Sequence, residues 1–268
     1  MKIIALLFHI GKRLMCAPLN WCRSFARMLR FFSDRRRFRR LGGFVGDFCE
    51  GSLFPCIWDL TDNAGVAVGD YFNQDLFVAQ RIFKNNPIRH IDIGSRVDGF
   101  VAHVAAFREI EVLDIRPLVS SVINIKFRQC DFMGEIPKEL LGAFDSVSSL
   151  HAIEHFGLGR YGDKLDPGGW RKGIENLGRL LKPDGRLYFS VPIGPMRIEF
   201  NAHRVFSVRF LCEYFSRMYN IESFSYVDDA GIMHPNIALE GNPGMDCEFG
   251  CKYGCGIFEL RKRPNHNQ

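Results

Sequence analysis

Residues 151–163, HAIEHFGLGRYGD, crowd two histidines, two acids and three glycines into one short stretch. His151, Glu154 and His155 fit H-x-x-E-H, a spacing that can gather a zinc ion for hydrolysis. Gly157, Gly159 and Gly162 fit G-x-G-x-x-G, a loop that cradles dinucleotide phosphates. Each pattern works only in its own context. The zinc pattern needs both imidazoles on one helical face, and here FDSVSSL precedes it as a strand while the glycines leave room for barely one turn. A third zinc ligand is not apparent, so no metal site is expected and zinc hydrolysis stays a third reading. The glycine pattern needs a strand directly before it and a helix directly after. Instead six residues intervene, and DKLDPGG follows. The segment reads better as the loop that leaves a strand. On such a loop a histidine can act as a general base, because imidazole titrates near neutrality. His155 is the first candidate and His203 the second, with Glu154 as the carboxylate that orients the base or binds an acceptor hydroxyl.

The elements that must position these groups alternate. Helical periodicity over 75–84 (DLFVAQRIFK) precedes a short strand at 89–93 (RHIDI). Helical residues 100–107 precede a second strand at 110–115 (IEVLDI). Strands follow at 124–129, 144–150, 186–191, 221–227 and 256–260, with helices at 170–181 and 207–219. Strands separated by helices predict an α/β fold, a doubly wound, mostly parallel sheet of seven strands. Ligands of such sheets sit at the carboxyl ends of the strands, near the point where strand order reverses. Asp92 and Gly94 stand at the end of the first strand, where a helix start offers unpaired N–H groups. Asp114 ends the second strand, 20 residues after Gly94, the spacing of a carboxylate that grips two ribose hydroxyls. Asp131 and Phe132, after the third strand, can offer an acid and a ring to an adenine.

This order resembles the class I S-adenosylmethionine (SAM)-dependent methyltransferases, through IDIGSRVDG (91–99), EVLDI (111–115), CDF (130–132), FDSVSSLHAIEH (144–155) and LGRLLKPDGRLYFSVP (177–192). The chain is similar still more closely to an uncharacterised methyltransferase-like family, domain of unknown function 268. That likeness runs from about Trp58 to Lys262, through YFNQDLFVAQRIF, HIDIGSRVDGFVAH, LDIRPL, SSLHAIEHFGLGRYGDKLDPGGW, VPIGPMRIEFNAHRVF and YGCGIFELRK. The resemblance implies a Rossmann-like methyltransferase fold and SAM as cofactor. It implies a small-molecule or glycan acceptor, since bacterial members are associated with surface-polysaccharide clusters. Asp92, Gly94, Arg96, Asp114, Asp131, Phe132 and His151 would then face the cofactor, and Tyr161, Asp163 and Arg204 the acceptor. One departure from the usual D-x-G-x-G-x-G stands out, because Arg96 and Asp98 replace the second and third glycines. Arg96 either closes the backbone's approach to the cofactor or offers its guanidinium to a carboxylate. A degenerate, non-catalytic binding module on the same fold is the alternative reading.

Charge divides the chain. Residues 1–40 hold 11 of the 35 Lys and Arg and one acid, about +10, while the remainder carries 24 minus 29, or −5. Trp21, Phe25, Met28 and Phe32 share one helical face, with Arg23, Arg27 and Arg30 off it and RRRFRR following. A basic amphipathic helix of this kind suits the surface of an anionic membrane. A mitochondrial transit peptide is the alternative, while the apolar run IIALLF is too short to span a bilayer. The expected organisation is a basic arm over 1–45 and a methyltransferase-like domain over 46–268. The body has no basic stripe, so no nucleic-acid partner is expected. Nine scattered cysteines, an odd number, fit a reducing, cytoplasmic setting, on the inner face of a membrane if the arm binds there. Cys247, Cys251 and Cys255 read as small apolar residues near the C-terminus rather than as ligands.

Overall fold

A computed structural model describes residues 17–46 and 48–264, with side chains from residue 23 onward. The IIALLF run and the Trp21 side chain lie outside what it describes. The chain divides into two compact units, Met1–Val66 and Ala67–Gln268. The division falls later than residue 45 because residues 50–61 pack on the arm. Helix α1 (Ala17–Arg40) sets Arg35 and Arg39 on Glu50, and Arg27 donates to Thr61 Oγ1 at 3.0 Å. The Arg27 guanidinium also lies over the Trp58 ring at 5.0 Å. Phe25, Leu29 and Phe32, at i, i+4 and i+7, stay exposed at 66%, 55% and 45%. No helix among the described residues is long and apolar enough to cross a membrane.

The second unit opens with α2 (Asp70–Asn85), which buries Gln74, Asp75, Val78, Ala79 and Ile82 on one face and stops at the left-handed Asn86. Then come β1 (His90–Ile93), a wide turn at Val97–Val101 running into α3 (Ala102–Ala105), β2 (Ile110–Asp114), β3 (Ile125–Gln129) and β4 (Phe144–Leu150). A 3₁₀ turn at Ile153–His155 leads towards α4 (Gly169–Leu180), β5 (Leu181–Ile193) and a separate hairpin of β6 (Arg197–Glu199) and β7 (His203–Val205). α5 (Val208–Phe215), β8 (Tyr219–Val227), β9 (Met233–His234) and β10 (Gly254–Lys262) complete the order. Ser207 caps α5, its hydroxyl accepting from Phe210 N.

The sheet runs β3-β2-β1-β4-β5-β10-β8-β9. β1 to β5 are parallel, and β10 is antiparallel to both of its neighbours. Seven of these eight strands are those expected, and the two-residue β9 extends the edge. Strands buried on both faces explain the near-continuous apolar runs. One face packs Ile174, Leu177, Leu211 and Phe215 against Phe189 and Phe258. The other packs Val78, Ile82, Phe100 and Val104 against Val112 and Ile257. Strand order reverses between β1 and β4, so the loops leaving their carboxyl ends diverge and open a crevice.

Candidate active site at the carboxyl ends of the strands

A cavity of about 490 Å³ lies in that crevice, within the range of small-molecule sites. Its wall runs from Ile93–Asp98 through Leu113–Leu118 and Cys130–Met133 to Leu150–Ala152. His155, Phe156, Arg160, Tyr161, Asp163 and Tyr71 close it.

Asp92 supports the first loop from beneath and is not on the cavity wall. Its carboxylate accepts from Ser95 N (3.0 Å), Ser95 Oγ (2.7 Å) and Ser148 Oγ (2.5 Å). Complete burial nevertheless pushes its pKa up to about 7. His90, also fully buried, is driven down to about 3 by desolvation and is neutral. Ser148 gives its proton to Asp92, so its oxygen accepts from His90 Nε2 (3.2 Å), while His90 Nδ1 accepts from Ser146 Oγ (2.8 Å). This chain of groups ends under the loop that turns at Gly94. There φ is +75°, and a Cβ would stand 2.9 Å from that of Ala152. Arg96 is at the rim, bonded to Asp98 at 3.0 and 2.7 Å and lying 5.7 Å from the Tyr71 ring centre.

At the end of β2, Asp114 is 8% exposed and is held by a residue that sequence reasoning passed over. Arg116 donates from its backbone N (2.8 Å) and Nε (2.9 Å) to Oδ1, and from Nε (3.2 Å) and Nη2 to Oδ2. Its Nη2 reaches the Gly94 carbonyl as well, and the guanidinium lies over Tyr161 at 4.8 Å. The available signal was an arginine two residues after the acid in LDIRPL. Beyond β3, Asp131 accepts from Met133 N at 3.0 Å and is exposed. Phe132 is buried edge-on to Phe156, and its carbonyl accepts from Asn176.

The loop after β4 carries the histidines. His151 adopts φ +49°, and its Nδ1 is 3.1 Å from Glu154 Oε1. Burial works against its charge, yet Cys255 and the Glu154 carboxylate beside it raise its pKa well above the usual range. Glu154 is 1% exposed; burial opposes its ionisation, but the two histidines hold its pKa down. Among the described residues, His151 Nε2 and Glu154 Oε2 are buried without a hydrogen-bond partner. His155 sets Nδ1 2.6 Å from the Ala202 carbonyl and Nε2 3.5 Å from Glu154. Burial lowers its pKa against the pull of Glu154. Its ring meets Tyr161 edge-on at 5.6 Å. His203 is off the cavity wall, 3.2 Å from Glu199 and packed on Tyr253.

Two residues expected at the acceptor hold the loop itself. Asp163 accepts from the amides of Gly157, Gly159 and Tyr161. Arg204 is 5% exposed and donates to the carbonyls of Glu154, Phe156 and Pro167. Gly157, at φ +75°, lies where a Cβ would be 1.9 Å from the Asp166 oxygen. The three glycines therefore form a closed turn and open no helix. The H-x-x-E-H residues likewise do not share a helical face, since His151 precedes the short 3₁₀ turn. Among the described residues no three His, Cys, Asp or Glu are grouped to hold a metal ion. Cys247, Cys251 and Cys255 are all free thiols, Cys251 buried just before β10 and Cys255 buried within it.

The family described as "Caenorhabditis protein of unknown function, DUF268" matches residues 108–236, just under half of the chain. No curated protein matches the sequence. The N-methyltransferase NodS of Bradyrhizobium japonicum WM9, crystallised with S-adenosylhomocysteine, aligns at 14% identity over 77% of this chain and 92% of its own, with a TM-score of 0.47. A Burkholderia thailandensis enzyme, 1,6-didemethyltoxoflavin-N1-methyltransferase, was solved with its namesake 1,6-didemethyltoxoflavin and S-adenosylhomocysteine bound. It aligns at 15% identity over 71% of this chain and 79% of its own, with a TM-score of 0.52. With β1 to β5 parallel, β10 reversed and the crevice at the β1/β4 divergence, the chain has the class I methyltransferase fold.

Proposed function

We propose that the protein is a SAM-dependent methyltransferase acting on a hydroxyl of a small molecule, a sugar of a surface or lipid-linked glycan. The observation that carries this reading is the cavity at the β1/β4 divergence, with Gly94 and Ser95, Asp114, and Asp131 with Phe132 along one wall and His155 along the other. The backbone of Gly94 and Ser95 would hold the methionyl end, Asp114 the ribose, and Asp131 with Phe132 the adenine. When bound, the cofactor supplies a methyl group already activated on a sulfonium. The protein's own tasks are then orientation and removal of one proton from the acceptor.

His155 suits the second task. The 2.6 Å contact with the Ala202 carbonyl fixes the proton on Nδ1 and leaves the Nε2 lone pair for an acceptor hydroxyl. Glu154, with an oxygen that has no partner among the described residues, would hold a neighbouring hydroxyl and, 3.5 Å from Nε2, stabilise the imidazolium once His155 has taken the proton. Tyr161 forms the rim and His151 the floor between the two halves. In the same reading the exposed Phe25, Leu29 and Phe32, flanked by arginines, rest on an anionic membrane surface. This would bring a lipid-linked acceptor to a peripheral enzyme.

Calorimetric titration with SAM and S-adenosylhomocysteine tests the cofactor. Micromolar binding that Asp114→Ala abolishes supports the proposal. No heat from either nucleotide would leave the non-catalytic module, which the engaged Asp114 carboxylate favours.

A further inference from the structure

We infer that Arg116 is a resident competitor for Asp114, displaced when ribose hydroxyls reach that carboxylate, and that its departure frees the Tyr161 rim for the acceptor. The inference rests on the methyltransferase reading above. A carboxylate offers about four lone-pair positions. Arg116 brings three N–H donors to them: its backbone N on Oδ1, Nη2 on Oδ2, and Nε shared between the two oxygens. Asp114 is only 8% exposed, which leaves little room on its cavity side for a second partner beside the guanidinium. A ribose diol can therefore bond to Asp114 only by replacing side-chain contacts of Arg116. The backbone N–H of Arg116 can stay on Oδ1, where it keeps the carboxylate in its rotamer. The guanidinium can leave, because the Arg116 side chain is 39% exposed.

That guanidinium also joins three pieces of the cavity wall. It donates to the Gly94 carbonyl in the loop after β1, binds Asp114 after β2, and lies over Tyr161 in the loop after β4. Arg160 lies over the same tyrosine ring at 5.1 Å. Removing Arg116 from this junction leaves the Tyr161 ring with Arg160 and His155 as its ring contacts among the described residues. The order of events follows from the geometry. Cofactor enters first, Arg116 is released, and the rim then yields to the acceptor.

The test measures S-adenosylhomocysteine affinity by calorimetry and its association rate by stopped flow, in wild type, Arg116→Ala, Arg116→Lys and Asp114→Ala. Hydrogen exchange of residues 159–162 is followed with and without the nucleotide. Arg116→Ala is expected to bind roughly three- to tenfold more tightly and to associate faster, the cost of breaking a charge-assisted pair having been removed. Arg116→Lys, which cannot make the bidentate contact, should fall between it and wild type. The nucleotide should speed exchange of residues 159–162 in wild type and leave Arg116→Ala unchanged. A variant that binds no more tightly than wild type would make Arg116 a support of the site and overturn the inference. Wild-type protein that binds no nucleotide at all would instead remove the methyltransferase reading beneath it.

Discussion

His155 Nδ1 lies 2.6 Å from the carbonyl oxygen of Ala202, across the gap between the β4 exit loop and the β6–β7 hairpin. Only an N–H can approach an oxygen so closely, so the neutral ring carries its lone pair on Nε2. The Arg160 guanidinium, 3.2 Å from the same nitrogen, shares the Ala202 carbonyl at 2.9 Å and does not reverse that assignment.

If His155 is the base, His155→Ala should lower kcat by about 10²- to 10⁴-fold and leave nucleotide affinity within twofold. The pH profile carries a sign. A base must be unprotonated, and burial lowers the His155 pKa. The acid limb of kcat/KM, which reports the free enzyme, should therefore fall below the usual histidine midpoint of about 6.5. A limb above that midpoint would point to another base.

Gly157→Ala should destabilise the protein by at least ~2 kcal/mol, because φ is +75° and the new methyl would overlap the Asp166 oxygen. Urea titration gives the stability. Loss of nucleotide binding in the folded variant would show that the turn also shapes the cavity. An unchanged midpoint would contradict the closed turn.

Arg204→Met should cost roughly 2–3 kcal/mol, since three carbonyls lose a buried donor. The loss should appear in equilibrium unfolding. A residue used only on the acceptor would instead change KM and leave the midpoint alone.

The His90–Ser148–Asp92 chain sets opposing pH dependences. His90, lowered to about 3, favours the fold above the unfolded histidine pKa, and this support is lost as pH falls from about 6.5 towards 3. Asp92, raised to about 7, favours the fold at low pH, and this support is lost as pH rises from about 4 to 7. The two partly cancel on acidification from 6.5 to 4. Asp92→Asn removes one side of the balance, so its stability should drop more steeply than wild type over that interval. Parallel slopes in urea titrations between those pH values would count against it.

For the arm, Phe25→Ser, Leu29→Ser and Phe32→Ser together should release the full chain from phosphatidylserine-containing vesicles in sedimentation. Stability should hardly change, because the three rings and chains are already exposed. Sedimentation equal to wild type would refute membrane contact through this face.

Periodicity in the chain determined the elements, because burial against a sheet face imposes its repeat wherever the neighbours lie. Strands β1 to β5, β8 and β10, the exit loop after β4 and the failure of its two borrowed motifs were all legible there, while the reversal of β10 was not. Tertiary structure alone decided which polar atoms meet. Asp114 is taken by Arg116, a neighbour in sequence whose rotamer no pattern reports. Arg204 and Glu154 belong to segments 50 residues apart and meet because the β6–β7 hairpin folds back under the exit loop. Asp163 turned inward to three amides because the glycine turn left those donors unpaired. Local sequence encodes which residues must be buried, but hydrogen-bond partners are chosen only after the buried surfaces have come together.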